Sequence, residues 1–202
     1  MFFSFDGLDG AGKSTQMDLF CGWLSERGHD VARCRDPGST PLGEQIRELV
    51  LGHHAPMART AEMLLFMAAR AQLVDDVIRP ALAAGKVVVS DRYLLANVVY
   101  QGHAGGLDVE SIWRVGQTAT GGLMPERVFL LDLDPAAAAG RFHRQRDRME
   151  SQGAAYEERL RQGFLAEAAK DAARIVVIDA ARPIEAVQAD IRRAAEPVLE
   201  RA

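Results

Sequence analysis

The sequence predicts an α/β fold, a parallel sheet of about five strands with helices on both faces. Three observations predict it. Short apolar runs around Phe2, Phe3 and Phe5, at Val87-Val88-Val89 and at Val128-Phe129-Leu130-Leu131 have the length and the aromatic or β-branched content of strands buried on both faces. Segments with apolar residues at helical spacing alternate with them, the pattern that produces a parallel sheet. A glycine-rich segment, Gly7-Leu8-Asp9-Gly10-Ala11-Gly12-Lys13-Ser14, joins the first strand to the first helix. With 202 residues, 48% of them hydrophobic, the chain has the size of one domain and enough apolar surface for a sizeable core.

The Gly-x4-Gly-Lys-Ser string takes its meaning from the strand before it and the helix after it. Its glycines let backbone N–H groups turn inward around phosphate oxygens, and the helix directs its positive end to the same point. Lys13 adds a point charge for the β- and γ-phosphates, and the Ser14 hydroxyl is placed to reach a magnesium ion bound to them. Gly7 through Thr15 are therefore the expected ATP-binding residues.

After this loop, Met17, Leu19, Phe20 and Leu24 mark a helix that opens after Thr15 and stops at Gly28. His29 to Arg35 reads as a strand, Asp36 to Pro41 as a loop, and Leu42 to Leu51 as a short helix. Thr60 to about Ala84 carries one long apolar stripe, with Pro80 expected to kink or restart the helix. Lys86 to Ser90, with three consecutive valines, reads as a strand buried on both faces, with Asp91-Arg92 at its end. Helices are expected over Tyr93 to Gln101 and Val109 to Ala119, the latter capped by Asp108. Val128 to Asp132 is a strand and Pro135 to Phe142 a helix, followed by a polar, arginine-rich connection to Gly153. Ala155 to Ala173 is helical, Ile175 to Ile178 a strand, and Pro183 to Glu200 a closing helix with Pro183 in its first turn. No repeat or linker divides the chain.

The net charge of −4, from 24 basic against 28 acidic residues, gives no global field for nucleic acid. Cys21 and Cys34 lack the spacing of a zinc site or a disulfide framework. No apolar run has the length to span a bilayer, and no basic and apolar leader precedes the first strand, so a cytoplasmic setting is expected, with no membrane partner.

Ligands of such sheets bind beyond the carboxyl ends of the strands, where the loop at Gly7, the Asp36–Thr40 loop and Asp91-Arg92 should converge. A magnesium–nucleotide site needs a strand-end carboxylate. Asp91 and Asp132 both qualify. Asp91 is preferred because Arg92 beside it offers a phosphate clamp, whereas Asp132 could simply help start the next helix. Asp9 is unusual inside an anion cradle: ~6 Å from a phosphate charge, repulsion would be on the order of 3 kcal/mol at an effective dielectric of ~20. It should point away from the triphosphate, either to a second substrate, accepting from a hydroxyl or an arginine, or to solvent. Arg141, Arg144, Arg146 and Arg148 read either as arginines that close over phosphates or as a solvated, salt-bridged face with Asp147 and Glu150. Phe66 and Arg70, four apart on one helix face, could stack on and hydrogen-bond a nucleobase, or Phe66 could be plain core. Arg47, Asn97, Tyr100 and Gln101 are ambiguous alone; His53, His54 and His103 are read as having no role.

Together, Phe5-Asp6-Gly7-Leu8-Asp9-Gly10-Ala11-Gly12-Lys13-Ser14-Thr15, Arg35-Asp36-Pro37-Gly38, Phe66-Met67-Ala68-Ala69-Arg70, Asp91-Arg92-Tyr93, Tyr100-Gln101-Gly102 and Asp147-Arg148-Met149-Glu150 resemble the bacterial thymidylate kinases over essentially the whole chain. The resemblance implies a single three-layer P-loop kinase domain with an arginine-rich lid at approximately 141–153, acting on ATP and dTMP with magnesium, as a homodimer. It implies that Phe66 stacks on thymine near Arg70, Asn97 and Gln101. It further implies that Tyr100 crowds the 2′ position, that Asp9 meets the 3′-hydroxyl, and that Arg47 and Arg92 bind near the monophosphate. Pro37 would line the pocket, and Asp91 would organise magnesium and water. Some members carry an arginine inside the phosphate loop; Gly10 occupies that position here, so the resemblance assigns charge stabilisation to the lid, with Arg144 and Arg146 as candidates. Ser39 replaces a common glycine, and Ala96 a frequent serine. The alternatives are a kinase of another nucleotide or deoxynucleoside, and a GTP-dependent switch. The switch would need an Asn-Lys-x-Asp string, whereas Asn97, the sole asparagine, is followed by Val98.

Overall fold

A computed structural model describes residues 1–52, 56–141 and 153–201. Five parallel strands, β1 (Phe2–Gly7), β2 (Val31–Arg35), β3 (Val87–Asp91), β4 (Arg127–Asp132) and β5 (Ile175–Asp179), form one sheet in the order β2-β3-β1-β4-β5. β1 lies at the centre and is buried along its whole length. Its side chains alternate between the faces. Phe3 and Phe5 pack on Phe129 and on Phe20 of α1 (Lys13–Glu26). Phe2 meets Tyr93 edge-on, in a second apolar cluster with Met63, Met67, Leu73 and Val98.

The remaining helices are α2 (Pro41–Leu51), α3 (Arg59–Leu73), α4 (Arg79–Ala83), α5 (Leu94–Asn97), α6 (Val109–Thr120), α7 (Pro135–Gly140), α8 (Ala154–Lys170) and α9 (Ile184–Leu199). The long stripe from Thr60 restarts at Pro80, as expected. A π-helical turn at Val74–Ile78 carries α3 into α4, and Pro80 sits in the first turn of α4, where its missing N–H costs nothing. A second π turn, Val98–His103, follows α5 where one regular helix is expected. Pro183 stands just before α9 rather than inside its first turn, and Asp91 belongs to β3 itself. Asp108 and Thr40 cap α6 and α2 with their side chains.

Asp132 does not start the next helix. Asp134 does, accepting from the Ala136 and Ala137 N–H groups, while Asp132 takes a two-pronged bond from Arg161 of α8 at 2.7 and 2.9 Å. His103, expected to have no role, pairs with the buried Glu167 at 2.8 Å. Cys21 and Cys34 are free and buried.

Candidate active site

The loop after β1 folds as its glycines require. A Cβ at Gly7 would lie 2.4 Å from the Leu131 carbonyl oxygen of β4, and one at Gly10 would lie 2.4 Å from the Ala138 carbonyl oxygen of α7. Position 10 therefore excludes an arginine for the same reason that it excludes alanine, unless α7 shifts. Gly12 differs: its φ of +93° places it in the left-handed region, and a Cβ there would meet nothing within 4 Å. It opens α1 with no side-chain cap and no acidic residue in the first turn, which leaves the N-terminal amides of α1 available to an anion. Lys13, Ser14 and Thr15 are thus the first turn of the helix rather than a lead-in to it.

A cleft of about 1000 Å³ opens at the carboxyl ends of the strands, lined by Asp9 through Gln16, Arg35, Asp36, Arg47, Asp91 and Arg92. Arg141, Arg182 and Ile184 close its far side. Arg182 was not singled out from the sequence, although the loop after β5 leaves a strand carboxyl end and so fell under the same rule. Gly7 and Leu8, expected among the nucleotide-binding residues, lie beneath the cleft, where their carbonyls accept from Lys13 Nζ at 3.2 and 2.9 Å. Arg144 and Arg146, with most of the expected lid and with His53 and His54, fall outside the described residues.

Asp9, with its side chain 29% exposed, meets a cation network. Its carboxylate accepts from Arg92 Nη2 at 2.6 Å, from Lys13 Nζ at 3.2 Å and from the Tyr100 hydroxyl at 3.2 Å. Burial alone would raise its pKa, but Arg92 and Lys13 together hold it well below the usual carboxylate range. Burial, with the Arg92 charge nearby, lowers the Lys13 ammonium, and Asp9 opposes that shift. Arg92 also donates to the Gly7 carbonyl at 3.0 Å and lies over the Tyr100 ring. Its φ of +66° is the left-handed conformation, rare outside glycine, and aims the guanidinium back across the end of β1. Ser39 is also left-handed, at +63°, and is held there by Glu44, which accepts from its N–H, and by its own hydroxyl, which accepts from Arg35 N–H.

Asp91, the strand-end carboxylate preferred from the sequence, lines the cleft, and its Oδ1 is buried with no hydrogen-bond partner in the protein. Ser14 is exposed on the first turn of α1. Among the described residues no group of three acidic, cysteine or histidine side chains could cage a metal alone.

The expected base-reading residues sit behind the cleft. Asp36, which lines it, accepts from Arg70 Nε at 2.5 Å; Arg70 reaches Asn97, and Asn97 reaches Gln101. Phe66 packs with Ile46, Val50 and Ala69 and is 8% exposed. Arg47 donates to the Pro37 carbonyl at 3.0 Å, linking α2 to the loop after β2.

Asp6, at the end of β1, was not singled out from the sequence. It is fully buried, neither carboxylate oxygen has a hydrogen-bond partner, and burial pushes its pKa from an ordinary 3.8 up to about 7 against the pull of Arg92 and Lys13. A carboxyl raised in the folded state contributes stability that is complete below pH ~4 and lost as pH rises through ~7. Denaturation of the ligand-free protein between pH 4.5 and 8 should show this decline, and Asp6→Asn should flatten it. An unchanged slope in the variant would remove Asp6 as its source.

The thymidylate kinase family profile matches residues 5–191. A thymidylate kinase of Symbiobacterium thermophilum is 46% identical over 203 residues, covering 100% of this chain and 95% of that protein. One from Clavibacter michiganensis is 46% identical over 202 residues, covering 98% and 96%. The crystal structure of thymidylate kinase from Ehrlichia chaffeensis superposes with a TM-score of 0.81 at 28% identity, covering 97% of this chain and 98% of that one.

Proposed function

The chain belongs to the thymidylate kinase family and transfers the γ-phosphoryl group of ATP to dTMP, giving ADP and dTDP, and we propose how its own residues divide that work. The observation that carries the proposal is the opposite orientation of two consecutive residues. Tyr100 turns its hydroxyl to Asp9 and Arg92 beside the phosphate loop, while Gln101 turns its amide to Asn97. This supports reading the Asp9 side as the phosphate-and-sugar side and the Asn97 side as the base side.

The N-terminal amides of α1 and Lys13 hold the ATP phosphates, with backbone from Asp9 to Gly12 as the cradle. Ser14 and Asp91 would hold magnesium, which when bound would neutralise charge on the transferring phosphates. Arg92 and Arg47 bind the dTMP phosphate. Its second pKa is ~6, so the attacking oxygen is already largely ionised at neutral pH and needs no strong base. Catalysis is then positioning and charge neutralisation, completed by Arg144 or Arg146 of the lid. Asp9 accepts from the 3′-hydroxyl, Tyr100 fills the space of a 2′-hydroxyl, and Pro37 lines the sugar side. Phe66 stacks on thymine within reach of Arg70, Asn97 and Gln101.

Phosphorus NMR tests the reaction: dTDP should appear in step with ADP, whereas inorganic phosphate without dTDP would make the protein a nucleotide hydrolase. Phe66→Ala should raise the KM for dTMP by about tenfold, the worth of a stacked aromatic, with the KM for ATP unchanged. An unchanged dTMP KM would return Phe66 to the core.

The homodimer implied by the family would cover exposed leucines such as Leu49 of α2 and Leu64 of α3. Sedimentation would separate dimer from monomer. No helix among the described residues is long and apolar enough to cross a membrane.

A further inference from the structure

We propose that Glu62 is a positioning residue that fixes the hydrogen-bonding polarity of the side chains facing the acceptor's base. The inference deepens the functional reading above and rests on it. Glu62 lies on α3, one turn before Phe66, and is 2% exposed; Arg70, Asn97 and Gln101 are equally buried. The four form one directed chain. Arg70 Nη1 donates to Asn97 Oδ1 at 3.0 Å, Asn97 Nδ2 donates to Gln101 Oε1 at 2.6 Å, and Gln101 Nε2 donates to Glu62 Oε1 at 2.9 Å.

The chemistry of the two ends dictates the direction of the chain. A guanidinium can only donate and a carboxylate only accepts, while each amide between them can be turned either way. Arg70 cannot swing aside, because Nε is held by Asp36 at 2.5 Å and Nη2 approaches the Tyr93 carbonyl at 3.4 Å. Turning Asn97 would set its NH₂ against the guanidinium. Gln101 would have to turn with it, setting Oε1 against the Glu62 carboxylate. In a buried site each mismatch leaves polar groups unpaired, which makes the reversed chain costly at both ends.

The consequence reaches the base. With the chain so directed, Asn97 Oδ1 keeps a second lone pair, and Arg70 Nη2 keeps one hydrogen beyond its contact with the Tyr93 carbonyl, the Nη1 hydrogens going to Asn97 and the Met67 sulfur. An acceptor next to a donor complements the N–H and C=O of a pyrimidine-2,4-dione. A 4-aminopyrimidin-2-one offers an acceptor nitrogen and a donor amine instead, so acceptor would face acceptor and donor would face donor. Glu62 thereby acts on base choice through Gln101 and Asn97, without itself touching the base.

The test compares initial rates with dTMP and dCMP as acceptors in the purified wild-type enzyme, Glu62→Gln and Glu62→Asp, with thermal unfolding as the folding control. Glutamine keeps the size of Glu62 but can meet Gln101 with either oxygen or nitrogen. It should raise the KM for dTMP about fivefold to tenfold, the worth of one hydrogen bond, and narrow the dTMP-over-dCMP preference about tenfold. Its kcat and KM for ATP should stay within about twofold of wild type. Aspartate remains acceptor-only and should keep the preference within about threefold. An unchanged dTMP KM in Glu62→Gln would overturn the inference. So would a parallel loss in kcat and both KM values, or a preference lost equally in Glu62→Asp. A wild-type enzyme that fails to phosphorylate dTMP would instead overturn the functional reading itself.

Discussion

Lys13→Ala should lower kcat by roughly 10²–10³-fold while the protein remains folded and still binds dTMP. Lys13 is 7% exposed, and its ammonium is already committed to three oxygens, the Gly7 and Leu8 carbonyls and the Asp9 carboxylate. A charge held by fixed partners needs little reorganisation when phosphate charge develops beside it, which is why its loss should fall on the chemical step. Lys13→Arg should rescue little. The planar, bulkier guanidinium cannot reproduce a compact ammonium aimed at two adjacent carbonyls. Single-turnover rates with saturating ATP and dTMP would measure the effect, and a loss of less than tenfold would remove Lys13 from the catalytic role.

Arg70→Leu should cost roughly 3–5 kcal/mol of stability, the usual result of breaking a buried ion pair by removing one partner. The guanidinium and Asp36 are both essentially inaccessible to solvent, and Asp36 Oδ1 already lacks a partner. Removing Arg70 would take away the Asp36 ion-pair partner, leaving only the Arg47 charge in its favour, and would leave Asn97 Oδ1 without its donor. Urea denaturation at neutral pH would read the loss. Adding Asp36→Asn should recover part of it, because the pair would then carry no stranded charge. A loss below 1 kcal/mol in Arg70→Leu would mean that water reaches Asp36 and that the base side of the site is open.

How much of this was legible in the sequence depends on the distance over which each constraint acts. The phosphate loop, the five strands and the Asp108 cap are local: the residues that dictate them lie within a few positions of one another. The π turns at Val74–Ile78 and Val98–His103 were not legible, since one extra residue per turn barely disturbs an apolar stripe. The second of them carries both Tyr100 and Gln101, so part of the candidate site lies on a feature that periodicity could not reveal. Charge reasoning turned Asp9 away from the triphosphate, towards either a second substrate or solvent, and its carboxylate meets Arg92 and Tyr100. It could not name partners 83 and 91 residues away. Asp132 and Asp134 show the converse: two carboxylates two residues apart have different tasks, because Arg161, 29 residues on, reaches Asp132 with two prongs. Glu62 looked like any polar residue on an amphipathic helix, and its partner Gln101 lies 39 residues away.

The account stands on the acceptor. Its most direct test is the rate of ADP release from ATP and magnesium with dTMP, dUMP, dGMP, AMP, CMP or thymidine as the second substrate. The account predicts the highest kcat/KM for dTMP and negligible turnover of thymidine, which lacks the ionised phosphate that attacks. Faster turnover of a purine monophosphate or of thymidine, or ADP release that no acceptor increases, would contradict it.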